Sequence, residues 1–307
     1  MHRPKKNTAM KLVLLLGAVR WYNLALIVVS QYLIFWLTFS EVSRSGLVGL
    51  MRDAHLHIIV ASSFCTVAGA FIINAFYDQG KDLVNMPRAV IMGKLLGETP
   101  LLNLYFGLNL LALSLALFAS FQVVIFFFVY MLFCWLYSHK LQKMPLIREV
   151  SAVVLTMTPL FSVWIHHGTW HWGMFYYMGS LAILLFSREV VKDLMGHKGN
   201  LIFGYQTVVV ATGVKWAKRG LMLLNFGAMS AYLLLLLVQK VSPVLPNWNP
   251  DYYLAIAGIT LGLSTAVSIG VWLNRDPQQY KIFDLFLKLA VVVHLLSIVA
   301  KAWVVVR

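Results

Sequence analysis

Nine stretches of this chain are apolar for about the length needed to cross a hydrocarbon core roughly 30 Å thick. They run at roughly 22 to 40, 56 to 77, 100 to 119, 121 to 137, 146 to 166, 171 to 187, 220 to 239, 252 to 273 and 285 to 304. Inside lipid a chain must satisfy its own backbone polar groups, so runs of this length fold as helices. The composition agrees: 60% of the residues are hydrophobic and only 12% charged, far more apolar than a soluble domain. The expectation is an all-α, multi-pass integral membrane protein with about nine transmembrane helices, built as a single domain over residues 1–307. Only the region of Ser120 separates the third run from the fourth, so eight spans is the alternative count.

The formal net charge of +14 would suit a nucleic-acid binder, but in a membrane chain the side on which Lys and Arg fall is read first. With the N-terminus in the cytoplasm, that side takes 20 of the 25, leaving Arg44, Arg52, Lys240, Lys301 and Arg307 outside. An error of one span would scramble this asymmetry. The charge therefore reads as topology and ligand binding, with no nucleic acid as partner. Residues 1–20 carry a basic start and an apolar LVLLLGAV like a signal peptide. Arg20 and Trp21 interrupt the pattern and no small-residue cleavage site follows, so the segment reads as a cytoplasmic-side interfacial helix. Cys65 and Cys134 lie inside apolar runs without metal spacing and read as small core residues. His166, His167 and His171 read as interfacial.

At the end of the second run, Asn74, Asp78 and Asp82 recur every four residues and share one helix face. Hard oxygen ligands of this kind suit Mg²⁺, which takes one or two carboxylates and completes its shell with water and substrate phosphates. Arg88 and Lys94 follow, and the order of acids then bases suggests a diphosphate substrate. A second polar stretch closes the sixth run, where Glu189 and Asp193 are four apart with Arg188 and Lys192 on adjacent faces. Asn23, an amide near the start of an apolar helix, needs a partner. Lys140 reads either as a point charge for phosphate or as an ordinary cytoplasmic-side Lys. Asp276 and Asp284 read as solvated neighbours of interfacial Lys and stay outside the site.

The N-x-x-x-D-x-x-x-D spacing of Asn74, Asp78 and Asp82, the RWYN entry that places Arg20 and Asn23, and the YSHKLQK stretch from Tyr137 to Lys143 resemble the UbiA superfamily of intramembrane prenyltransferases. By eye the likeness is greatest to bacterial geranylgeranylglyceryl-phosphate-synthase-like members. It implies a UbiA-type bundle that moves an isoprenoid chain from a prenyl diphosphate to a lipid-soluble acceptor, a glyceryl phosphate ether or an aromatic or quinone precursor. It further implies Mg²⁺ on Asn74, Asp78 and Asp82, chemistry at Asp78, Asp82, Glu189 and Asp193, and diphosphate binding by Arg20, Asn23, Arg88, Lys94, Tyr137, Lys140, Arg188, Lys192 and Lys198. The implied setting is a bacterial inner membrane, with the N-terminus cytoplasmic, the C-terminus outside and the site at the cytoplasmic face.

One departure stands out. Where the family carries a second acidic pair, this chain has Gly196 and Asn200 with Lys198 between them, and Gln206 replaces a base in Gly204 to Thr207. Two explanations compete: His197 and Lys198 supply charge in place of a second metal, or the protein is catalytically silent and binds prenyl lipid or a membrane partner.

Overall fold

The computed structural model describes residues 15–17, 19–39, 46–79, 97–167, 172–241, 251–274 and 276–305, and every regular element among them is helical. In chain order these are α1 (Trp21–Phe39), α2 (Gly46–Arg52), α3 (Ala54–Tyr77), α4 (Glu98–Leu117), α5 (Phe121–His139), a short 3₁₀ turn (Leu141–Lys143), α6 (Ile147–His167), α7 (Trp172–Met195), α8 (His197–Ile202), α9 (Val208–Thr212), α10 (Val214–Val241), α11 (Asp251–Leu273) and α12 (Pro277–Val305). The third and fourth apolar runs fold as separate helices because Ser120 caps the second of them, its Oγ accepting the Val123 N–H at 3.3 Å.

Among the described residues six helices are long and apolar enough to cross a membrane: Ala54–Tyr77, Glu98–Leu117, Phe121–Lys143, Ile147–Ile165, Val214–Val238 and Leu254–Leu273. The runs at 22–40, 171–187 and 285–304 also fall on helices, but these are not among the six. The apolar part of α1, Trp21–Trp36, is short. The last two turns of α7 carry Arg188, Glu189, Lys192 and Asp193, and the start of α12 carries Lys281, Asp284 and Lys288.

The helices pack as two compact units, one formed by α1 to α5 with α6 from Leu155 onward, the other by the start of α6 and α7 to α12. In the first unit α3 is central and packs against α1, α4 and α5. Small residues let α3 and α4 approach: Ala68, Ala112 and Ala116 are buried, and a Cβ on Gly69 would meet Asn109 Oδ1 at 3.3 Å. Cys65 and Cys134 are buried free thiols in the same core. Pro159 interrupts α6 and, having no N–H, leaves the Leu155 carbonyl without its helical donor. The Tyr130 hydroxyl donates to that carbonyl at 2.9 Å. The Pro159 carbonyl accepts from Gln31 Nε2 at 2.7 Å, and the same amide reaches Ser63 Oγ at 2.7 Å and Ser162 Oγ at 3.0 Å.

In the second unit α7 is central and packs against α10, α11 and α12. Its polar groups are tied to those partners. Asn225 Nδ2 donates to Ser187 Oγ at 3.0 Å, Ser264 donates to Asn225 Oδ1, and the Tyr177 hydroxyl donates to the His294 carbonyl at 2.8 Å. Side-chain hydrogen bonds of this kind hold apolar helices in one register, because an unpaired buried polar group is costly.

Candidate active site

In the first unit the polar stripe begins where α3 ends. Asp78 caps the helix, its N–H donating to the Asn74 carbonyl at 2.9 Å, and Asn74 Nδ2 donates to Asp78 Oδ2 at 2.9 Å. The spacing of four residues brings these two side chains together. Asp78 is only 5% exposed, and Asn74 Oδ1 is buried with no hydrogen-bond partner among the described residues. A carboxylate buried at the negative end of a helix macrodipole is poorly placed for stability. An orphaned carbonyl oxygen beside it adds to that cost, and a hard cation would offset both. The donor set therefore fits Mg²⁺. Among the described residues no three His, Cys, Asp or Glu side chains gather into a metal-binding group, and the expected third ligand, Asp82, lies outside them together with Arg88 and Lys94.

Other residues expected at the diphosphate surround the same helix. The Tyr77 and His139 rings meet edge to face at 5.5 Å, and His139 stacks on Trp135 at 5.2 Å, which brings the end of α5 and its exposed C-cap, Lys140, to the end of α3. Tyr137 is half-buried one turn earlier. Arg20 has a left-handed backbone, φ 50°, unusual for a residue with a Cβ, and its guanidinium lies 5.3 Å from the centre of the Phe71 ring on α3. The Asn23 N–H donates to the Arg20 carbonyl at 2.8 Å, which holds the entry to α1. Trp21 and Tyr22 are exposed, as suits an interfacial belt.

In the second unit the last turns of α7 are laced with ion pairs. Lys192 Nζ donates to both Glu189 oxygens at 2.8 Å. The Arg188 Nε donates to Asp284 Oδ1 at 3.1 Å, and Asp284 also pairs with Lys288. Asp284 is thus not a solvated neighbour, as its sequence context suggested. It is buried and fixes a cation of the candidate site. Arg148, which reads in sequence as one more cytoplasmic-side charge, is likewise buried, pairing with Asp193 and more distantly with Glu149 at 3.5 Å. Glu149 Oε1 also accepts the Val208 N–H at 2.8 Å, at the start of α9. Two buried carboxylates thus share one guanidinium.

Glu189 and Asp193 lie beyond the apolar run 171 to 187, and their surroundings push them apart. Burial alone would raise Glu189, but Lys192 and then Arg148 pull it down to about 2. Burial pushes Asp193 up to about 7, opposed by Arg148 and assisted by the neighbouring Glu149 carboxylate. Such a divergence separates a permanently ionised partner from a group able to take up a proton near neutral pH. Of the departing positions, Asn200 is buried, Gly196 caps α8, and Lys198 and Gln206 are exposed. His197 Nδ1 is buried without a partner among the described residues.

The sequence profile of the UbiA prenyltransferase family matches residues 32–291. This chain belongs to the UbiA prenyltransferase family, and its membrane helices carry the family's fold. It is 24% identical over 239 residues to the digeranylgeranylglyceryl phosphate synthase of Pyrococcus furiosus, covering 76% of this chain and 80% of that one. To the protein of the same description from Pyrococcus abyssi it is 29% identical over 150 residues, 47% of this chain and 52% of that one, so the match spans about half the length of that relative. Among solved structures, a UbiA homologue from Archaeoglobus fulgidus bound to DMAPP and Mg²⁺ has the same fold, with a TM-score of 0.62, 13% identity and coverage of 92% and 98%. These relatives are archaeal, and they lend the expected bacterial membrane no support.

Proposed function

We propose that this chain is a Mg²⁺-dependent intramembrane prenyltransferase that moves an isoprenoid chain from a prenyl diphosphate to a glyceryl phosphate ether. The observation that carries the reading is the Asn74–Asp78 pair: a buried carboxylate and an orphaned amide oxygen at the end of α3, in a chain whose family transfers prenyl groups. The relatives described as digeranylgeranylglyceryl phosphate synthases support the acceptor class, and the Mg²⁺ and prenyl diphosphate bound by the A. fulgidus homologue support the cofactor and donor. Asn74, Asp78 and Asp82 would hold the ion, which supplies positive charge against the diphosphate as the allylic C–O bond breaks.

The chain's own residues do the rest. Within the second unit Glu189 and Asp284 hold Lys192 and Arg188 as oriented cations for phosphate oxygens; Arg20, Asn23, Arg88, Lys94, Tyr137, Lys140 and Lys198 are given to the diphosphate from their sequence positions alone. Apolar and aromatic walls keep water from the allylic cation. Asp193 accepts the proton that the acceptor hydroxyl loses, since burial leaves it able to bind one near neutral pH. The protein works as one UbiA-like domain with nine spans, its N-terminus and site on the cytoplasmic side and its C-terminus outside; the family match, which runs across both units, and the distribution of Lys and Arg support this.

A second reading, a silent family member that binds prenyl lipid or a membrane partner, is favoured by one observation: Gly196, Lys198 and Asn200 offer no carboxylate for a second ion. The test is diphosphate release from geranylgeranyl diphosphate by the purified protein against phenolic and glyceryl phosphate acceptors. Release that requires a glyceryl phosphate acceptor supports the first reading. Tight binding of the donor without release under any condition supports the second.

A further inference from the structure

The second unit carries a groove of about 720 Å³ at the start of α10, lined by Thr212, Trp216, Arg219, Gly220 and Leu223 and closed by Trp272 near the end of α11. Of these, Trp216, Arg219, Gly220 and Leu223 recur at three- and four-residue spacing and form one face of α10. The Arg219 guanidinium stands 4.7 Å from the centre of the Trp216 ring and 5.7 Å from that of Trp272, held between two aromatic faces. Among the described residues no carboxylate pairs with it. The neighbouring Lys218 is already engaged, donating to the Asn274 carbonyl and lying over the Tyr280 ring.

Depth adds to the argument. The apolar run of α10 begins at Gly220, directly after Lys215, Lys218 and Arg219, so Arg219 stands at its edge. That is the level at which tryptophans mark the boundary of headgroups and hydrocarbon. A cation there, fixed but unpaired, with Trp216 and Leu223 exposed below and beside it, is complementary to an anionic head joined to acyl chains. We propose that this groove binds an anionic glycerophospholipid of the bilayer, with Arg219 on the phosphate and the chains along Leu223. None of its lining residues is assigned to the transfer chemistry, so the inference stands whether or not that reading holds.

The test is native mass spectrometry of the purified full chain titrated with phosphatidylglycerol and phosphatidylcholine of matched acyl chains. Wild type should retain phosphatidylglycerol in preference, and Arg219→Gln should lower its retention about fivefold and that of phosphatidylcholine, whose choline already offsets the phosphate charge, by much less. Gly220→Leu provides a second arm, because Gly220 lines the groove and a Cβ there meets nothing within 4 Å, so the larger side chain starts in open space. It should lower the retention of both lipids. Equal retention of the two lipids by wild type, or undiminished phosphatidylglycerol on a folded Arg219→Gln protein, would overturn the assignment.

Discussion

Replacing Arg148 by Met removes the only cation in contact with two buried carboxylates among the described residues. The side chains of Arg148, Asp193 and Glu149 are 8%, 2% and 0% exposed, so water cannot take over the lost partner. Breaking a buried ion pair from one side costs about 3–5 kcal/mol, because it strands a charge. At about pH 8.5, above the value of about 7 at which Asp193 takes up a proton, that corresponds for a chain of this size to a fall in melting temperature of roughly 5–15 °C, read from helical circular dichroism in detergent. The mechanism makes a second demand. Adding Asp193→Asn to Arg148→Met should restore part of the loss, since one of the stranded acids becomes a neutral amide, while Glu149 keeps its bond from the Val208 N–H. An Arg148→Met protein melting within about 2 °C of wild type would refute the reasoning, as would a double variant no more stable than the single.

Two further predictions concern the same helices. Asp193 is pushed up to about 7 in the fold against an ordinary value of 3.8, so folding favours its protonated form; its contribution is whole below pH 3.8 and lost as pH rises through about 7. Glu189, held down to about 2, contributes above pH 4.5 and loses that only in acid, so it does not enter the neutral window. The melting temperature should therefore fall between pH 5 and pH 8, and Asp193→Asn should flatten that slope. Tyr130→Phe should cost about 1–3 kcal/mol by leaving the Leu155 carbonyl unpaired, and should cost less in a Pro159→Ala background, where a backbone N–H becomes available; equal costs in both backgrounds would contradict the role given to Pro159.

What the sequence reveals here follows the reach of each interaction. The apolar runs map onto helices because lipid leaves the backbone no other way to satisfy its polar groups. Asn74 with Asp78 is legible because partners four residues apart on a helix must be neighbours; at the end of α7 the same rule groups Glu189 with Asp193, whereas the structure gives Glu189 to Lys192, three residues on, and Asp193 to Arg148. The pairs that fix the second cluster were not legible. Arg148 meets Asp193 across 45 residues, and Arg188 meets Asp284 across 96, so only the packing of α7 brings them together. Asp284 beside Lys281 and Lys288 looked solvated for that reason; its interval of four to Lys288 was visible, but nothing local announced Arg188. Glu149 gave one signal, a carboxylate in the first turn of an apolar helix, where burial requires partners.

The central claim is that Asp78, at the end of α3, helps hold a metal ion against a leaving diphosphate. The most direct measurement is diphosphate release from geranylgeranyl diphosphate, with a glyceryl phosphate acceptor, by wild type and Asp78→Asn across a Mg²⁺ titration. The amide keeps the size of the carboxylate and can still accept from Asn74, so the fold should persist while the charge is lost. The account predicts Mg²⁺-dependent release by wild type and a rate at least about 100-fold lower in the variant. Equal rates for the two proteins, or release from wild type that ignores Mg²⁺, would contradict it.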